Sequence, residues 1–175
     1  MARLRRMLGN INDDVIVKLM RMIETQSKET ISLWAVDYVE KNILDIYEKE
    51  CNGDLRLRET IFATKKYLSG NMKLKEIKEV LKEVKIIPKE LEVNPVAQAS
   101  ARAILTACGT IQTPTNALGF TFYAVAAMVY NQVGLKEKVE TYDSLAADEF
   151  IKILESLKIV AVDKEENPVN VNWNC

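Results

Sequence analysis

The chain contains no histidine. That absence excludes Ser-His-Asp and Cys-His catalytic machinery, His-based zinc sites and the Glu-x-x-His ligand pairs of ferritin-like di-iron bundles. Cysteine is scarce too. Cys51, Cys108 and Cys175 are far apart and form no Cys-x-x-Cys pair, so neither a zinc knuckle nor a thioredoxin-like motif can be built. Cys108 sits in an apolar run and reads as a small core residue, while Cys175 reads as an exposed end. An odd, dispersed set suits a reducing compartment, and the expected location is the cytoplasm. Six glycines and four prolines in 175 residues leave little material for turns, which argues against a many-stranded β fold. Neither charge sign dominates: 24 Lys and Arg face 25 Asp and Glu, a net charge of −1. No overall field therefore draws in nucleic acid or a membrane surface. Residues 1–90 hold 18 basic and 15 acidic side chains (+3), and residues 91–175 hold 6 and 10 (−4), which places the more acidic surface in the second half.

Other absences concern motifs. GxGxxG, GxxxxGK[ST] and GxSxG do not occur, which removes the common phosphate loops and the nucleophile elbow. The start, Met-Ala-Arg-Leu-Arg-Arg-Met, is charged but no apolar stretch follows, so no secretory leader is expected. The longest nearly apolar stretch, 117–130, covers 14 residues where a bilayer needs about 18–20. It reads as a buried helix. No catalytic residue, no metal ligand set and no cofactor is expected, and the sequence favours a non-enzyme.

What is present is helical periodicity. Asn12-Asp13-Asp14 offers caps before 15–24, where Ile16, Leu19, Met20 and Ile23 share a face. Ser27 caps the clearest helix, with Ile31, Trp34, Ala35, Tyr38, Val39, Asn42, Ile43, Ile46 and Tyr47 at steps of three and four. Cys51-Asn52-Gly53-Asp54 breaks it. Further helices are predicted over 55–68 and 73–87, the latter stopped by Pro88. Asn94-Pro95 and Thr113-Pro114 are cap-then-proline starts for 95–111, rich in Ala and Ser, and for the near-fully apolar segment to 130. Gly134 precedes a last helix over 135–157. The expected architecture is an all-α, single-domain bundle of about seven helices spanning 1–175. A near-fully apolar helix lies at its centre, and a short extended tail, 160–175, is pinned to the body by Trp173.

Several clusters could carry function. Asp37 with Glu40, and Asp45 with Glu48, are three apart on one helix and could hold a cation or move protons, though carboxylates on a helix flank are ordinarily a solvated face. Asp54, Arg56 and Arg58 form a charged turn that suits either an interface anchor or a loop held by its own salt bridges. Asn42, in the middle of an apolar stripe, needs partners and fits a buried polar network or a pocket lining. Gln112, Thr113, Thr115 and Asn116 cluster at a helix junction, where capping accounts for most of them. The lysines of 73–89 alternate with Glu76, Glu79, Glu83 and Glu90, which makes an exposed mixed-charge face and no phosphate track.

Read in order, a set of blocks spans most of the chain: Arg3-Leu4-Arg5-Arg6-Met7-Leu8-Gly9; Trp34-x-x-Asp37-Tyr38-x-Glu40; Ile43-Leu44-x-Ile46-Tyr47-Glu48; Arg56-x-Arg58; Asn94-Pro95-x-Ala97-x-Ala99-x-Ala101-Arg102-Ala103; and Ala117-Leu118-Gly119. Together they resemble a bacterial family of putative immunity proteins, of the all-α, polymorphic-toxin type. The resemblance implies a helical protein that neutralises a toxin by direct binding. Relatives carry histidines near the positions of Asn42, Gln112 and Asn116, which here are amides, so a pH-dependent or metal-binding role there does not carry over. The three amides are expected to converge in space.

The resulting expectation is an immunity protein that occludes a cognate protein toxin, without nucleic acid or membrane partners. Its expected partner-binding residues are Asp54, Arg56, Arg58 and Trp173. A pocket or polar network is expected from Trp34, Asp37, Tyr38, Asn42, Gln112 and Asn116. Two alternatives stand beside it: a small-ligand module or enzyme with a carboxylate- and amide-lined pocket, and a structural subunit that pairs with a second copy of itself.

Overall fold

Two helix starts, at Lys28 and Pro95, carry the side-chain caps that the sequence offers, whereas the helix expected from Thr113-Pro114 begins only at Asn116 and has no side-chain cap. In the computed structural model, which describes residues 3–174, α1 spans Asp14–Ile23, α2 Lys28–Asn42, α3 Leu44–Glu50, α4 Arg56–Leu68 and α5 Leu74–Val84. The one-turn α6 spans Ile87–Glu90, α7 Pro95–Cys108, α8 Asn116–Val133 and α9 Val139–Val160. Cys175 lies outside the described residues. Ser27 Oγ accepts the Thr30 amide at 3.2 Å, and Asn94 Oδ1 accepts the Ala97 amide at 3.1 Å. Each satisfies one orphan donor of a first turn and contributes about 1 kcal/mol. Among the described residues the fold is all-helical; the single β-bridge joins Ser27 to Pro168. No helix there is long and apolar enough to cross a membrane.

Two expected helices are divided, so the count of about seven is exceeded. The stripe predicted as one helix over 27–47 is interrupted at Ile43. Asn42 donates its side-chain Nδ2 to the Tyr38 carbonyl at 3.0 Å, a side-chain bond one turn back that competes with the backbone ladder. The apolar face nevertheless continues across the break, with Ile43, Leu44 and Tyr47 buried. The second division corrects the reading of Pro88 as a stop. The preceding helix already ends at Val84, and Pro88 lies in the first turn of α6, where a missing N–H costs nothing.

The alanine-rich α7 packs most extensively against α8. Ala97, Ala99, Ala101, Ala103 and Ala107 of α7 and Ala117, Ala124, Ala126 and Ala127 of α8 are all buried, and small side chains allow the two axes to approach closely. Along α8 only Asn131 and Gln132 are exposed. Helices α1 and α2 pack on α9, and α2 also meets α4, α7 and α8. The segment before α1 is docked: Leu8 is buried, its amide donates to the Phe122 carbonyl at 3.3 Å, and Tyr130 donates its hydroxyl to the Arg5 carbonyl at 2.6 Å. Gly9 makes this possible. Its φ is +122°, and a Cβ there would lie 2.5 Å from Phe150 Cε2.

After α9 the chain turns back along the α1–α2 corner. The buried Gln26 side chain accepts the Val162 amide (2.8 Å) and donates to the Val162 carbonyl (3.1 Å), while the Gln26 carbonyl accepts the Val169 amide (2.8 Å). Glu165 accepts from the Ser27 amide at 2.8 Å and from the Ser27 hydroxyl at 2.7 Å. A carboxylate at the start of α2 also complements the helix dipole.

Candidate functional site: a groove between α2 and α9

Helices α2 and α9 do not close completely on each other. Between them lies an open groove of about 810 Å³. Its floor is aromatic. Trp34 (4% exposed) donates its indole N–H to Ser156 Oγ at 2.9 Å, and its ring meets Phe120 of α8 edge-on at 5.1 Å. Tyr38 (8% exposed) lies 6.0 Å from the same Phe120 ring and directs its hydroxyl at Met128 Sδ, 3.8 Å away. These rings lie on the core face of α2 because they follow the i, i+4 spacing of its buried stripe.

The walls carry apolar side chains that the fold leaves in water. Leu33 is 41% exposed, Ile159 82%, Val160 46% and Val162 48%, and all four line the groove. An apolar patch rimmed by polar groups is the usual signature of a contact surface. The rim is charged and, apart from Lys41, internally paired: Lys65 Nζ bridges Asp37 at 2.9 Å and Glu40 at 2.6 Å, and Lys152 pairs with Glu149 at 3.2 Å. The lysine between Asp37 and Glu40 supplies the positive charge that a shared cation would otherwise bring. Burial first, and then the Glu149 charge, push the Tyr38 hydroxyl above the ordinary tyrosine range. It stays protonated at neutral pH and serves as a donor, not a base.

The expected pocket residues are therefore only partly brought together. Trp34, Asp37, Tyr38 and Asn42 share the groove; Gln112 and Asn116 do not. They flank the 3₁₀ turn Gly109–Ile111 and the start of α8. The Asn116 amide is tucked against Gly109, 2.7 Å from where a Cβ would stand. Ile111 of that turn meets the first half of α2, lining a hollow with Lys28 and Ser32. Asn42 ends α2 ten residues further on, about 15 Å along the axis. The expected convergence of the three amides fails because the stripe that carries Asn42 runs the length of α2 while the junction abuts its opposite end.

The expected partner-binding residues are engaged inside the molecule. Asp54 accepts the Tyr47 hydroxyl at 2.7 Å, the Arg56 amide at 3.1 Å and the Arg56 guanidinium at 2.9 Å. Hydrogen bonding from Arg56, with Tyr47 adding to it against the cost of burial, brings the Asp54 carboxyl down to about 2. Arg56 also reaches Glu90 of α6 at 2.8 Å, and Arg58 is held by both Glu48 oxygens. Trp173 is half-buried and donates to Glu24 at 2.6 Å.

The spacing rules do not single out Leu33, Ile159, Val160 or Val162, yet a signal for two of them exists. Leu33 and Ile159 fall off the i, i+3, i+4 stripes of their helices, and an apolar residue on a polar face is what such a groove leaves in a sequence.

The sequence model of one family, described as "Imm-5 like putative immunity protein", matches residues 21–154. That span contains α2 and most of α9. Neither the curated proteins nor the solved structures supply a significant match.

Proposed function

From the premise that this chain belongs to the Imm-5 like putative immunity protein family, we propose that it binds and neutralises a bacterial protein toxin by direct contact, through the α2–α9 groove. The observation that supports this surface is the exposed apolar wall over a buried aromatic floor. An interface core wants apolar and aromatic groups that are desolvated on contact and a polar rim that excludes water. Leu33, Ile159, Val160 and Val162 supply the first, and the Asp37–Lys65–Glu40 and Lys152–Glu149 pairs supply the second. Arg56 and Arg58 are weaker anchors, because a partner's carboxylate would have to displace Glu90 or Glu48, whose hydrogen bonds are already made.

The test is protection of growing cells from a candidate toxin captured with this protein from lysate of its native host. Wild-type protein rescues growth, and Ile159→Asp together with Leu33→Asp abolishes rescue and weakens binding by calorimetry at least about a hundredfold, as loss of a hot-spot cluster does. Both positions are solvent-exposed, so the fold survives the change, as circular dichroism would record. Full rescue by the double variant would remove the groove from the interface. Failure of the wild type to bind or protect would remove the immunity reading itself.

A further inference from the structure

The segment before α1 and the outer face of α7 enclose a second concavity, of about 390 Å³. Arg3, Arg5, Arg6 and Arg102 line it, with Glu92 the one carboxylate among its lining residues. Of the four, only Arg5 makes an ion pair among the described residues, to Asp143 at 2.6 Å. Counting Glu92 and Asp143 against the arginines leaves a local charge of +2, in a chain whose total is −1.

Arg102 is the organising residue. It is half-buried, its Nη1 donates to Gln98 Oε1 at 3.1 Å, and its guanidinium stands 5.9 Å from the Tyr123 ring centroid. Gln98 is itself buried and fixed by donating Nε2 to the Pro88 carbonyl at 2.6 Å. A long side chain is thus held in one place, with most of its five donors unclaimed by protein carboxylates. Burial first, and the Arg6 charge second, hold its pKa below the ordinary arginine range. Crowding of like charges without a counter-ion is unfavourable in the free protein. It becomes favourable when a partner brings the missing negative charge.

We propose that this arginine pocket receives carboxylate side chains of an acidic segment of the protein partner, as a contact separate from the groove. The inference rests on the immunity reading for the partner being a protein. Leu4, Pro95 and Tyr130 also line the concavity. A mixed guanidinium and apolar lining fits a Glu or Asp with its methylenes better than a bare phosphate. A nucleic-acid backbone is disfavoured, because it needs a long basic track, and Glu92 and Asp143 bound this patch.

The experiment uses the full chain and a fluorescein-labelled hexaglutamate peptide, read by anisotropy, with inorganic phosphate as competitor. The expected result is saturable peptide binding that Arg6→Gln and Arg102→Gln each weaken at least tenfold. Lys75→Gln with Lys78→Gln, which removes two charges from the exposed face of α5, leaves it unchanged. Arg6 is exposed, so its variant remains informative if Arg102→Gln does not fold. Absence of saturable binding, equal weakening by the lysine variant, or displacement by phosphate at the peptide's own concentration would overturn the proposal. In the growth assay, rescue retained by Arg6→Gln and Arg102→Gln but lost in the groove variant overturns the arginine pocket and leaves the immunity reading standing.

Discussion

Replacing Asp54 by Asn tests whether the charged turn at 54–58 is an internal staple. The substitution keeps the shape and one acceptor oxygen but removes the charge that faces Arg56. The Asp54 carboxyl sits at about 2 against an ordinary 3.8. At about 1.36 kcal/mol per pH unit, that difference corresponds to about 2.4 kcal/mol at neutral pH. Arg56 is 45% exposed, and solvent screening trims the figure to about 1.5–2 kcal/mol. For a chain of this size that lowers Tm by about 3–8 °C. The sign follows from the lowered pKa. The stabilisation is complete above the unfolded value near 3.8 and is lost as pH falls through about 2, so roughly half remains at pH 3. Urea unfolding of wild type and Asp54→Asn at pH 7 and pH 3 measures both points. A gap below about 0.5 kcal/mol at pH 7, or one that does not shrink at pH 3, refutes the staple. So does an Asp54→Asn protein of wild-type stability that binds the toxin tenfold more weakly, because the turn would then be an anchor.

Gly9→Ala meets both a positive φ and a 2.5 Å approach to Phe150, and should cost about 2–4 kcal/mol. Gly53→Ala, at φ +84° with no atom within 4 Å, should cost only about 1 kcal/mol. Equal losses in chemical denaturation would show that the N-terminal segment is not packed as described. For Glu165, burial raises the carboxyl pKa, but hydrogen bonds from Thr30 and Ser27 outweigh it and leave a net lowering. Its contribution is therefore present above the ordinary 4.5 and lost as pH falls below it. Protection factors of the Val162 and Val169 amides by NMR, which divide out the intrinsic slowing of exchange in acid, should fall as the pH drops below the ordinary 4.5, and at neutral pH in Glu165→Gln. Unchanged protection at both amides would show that Glu165 does not hold the tail.

The stripes at three- and four-residue steps are enough to read an all-helical chain and to name Trp34, Tyr38 and Tyr47 as inward-facing, because burial periodicity is written locally along each helix. Caps such as Asn94-Pro95 are equally legible, since a cap and its target lie within one turn. The missing histidine narrows the chemistry through composition alone. Tertiary packing decides the rest. That Asn42 stands in a groove with Ser156 and Ile159, and far from Asn116, depends on which end of α2 meets α9 and which meets the 3₁₀ turn. No spacing along the chain encodes that. The same holds for Arg56, which sequence offers equally as anchor or staple until Glu90, 34 residues away, is brought within hydrogen-bond reach. Arg102 likewise acquires its crowded neighbourhood only when residues 3–6 fold back across α7. Local patterns record which face a residue shows, and only the packing of helices distant in sequence determines what that face meets.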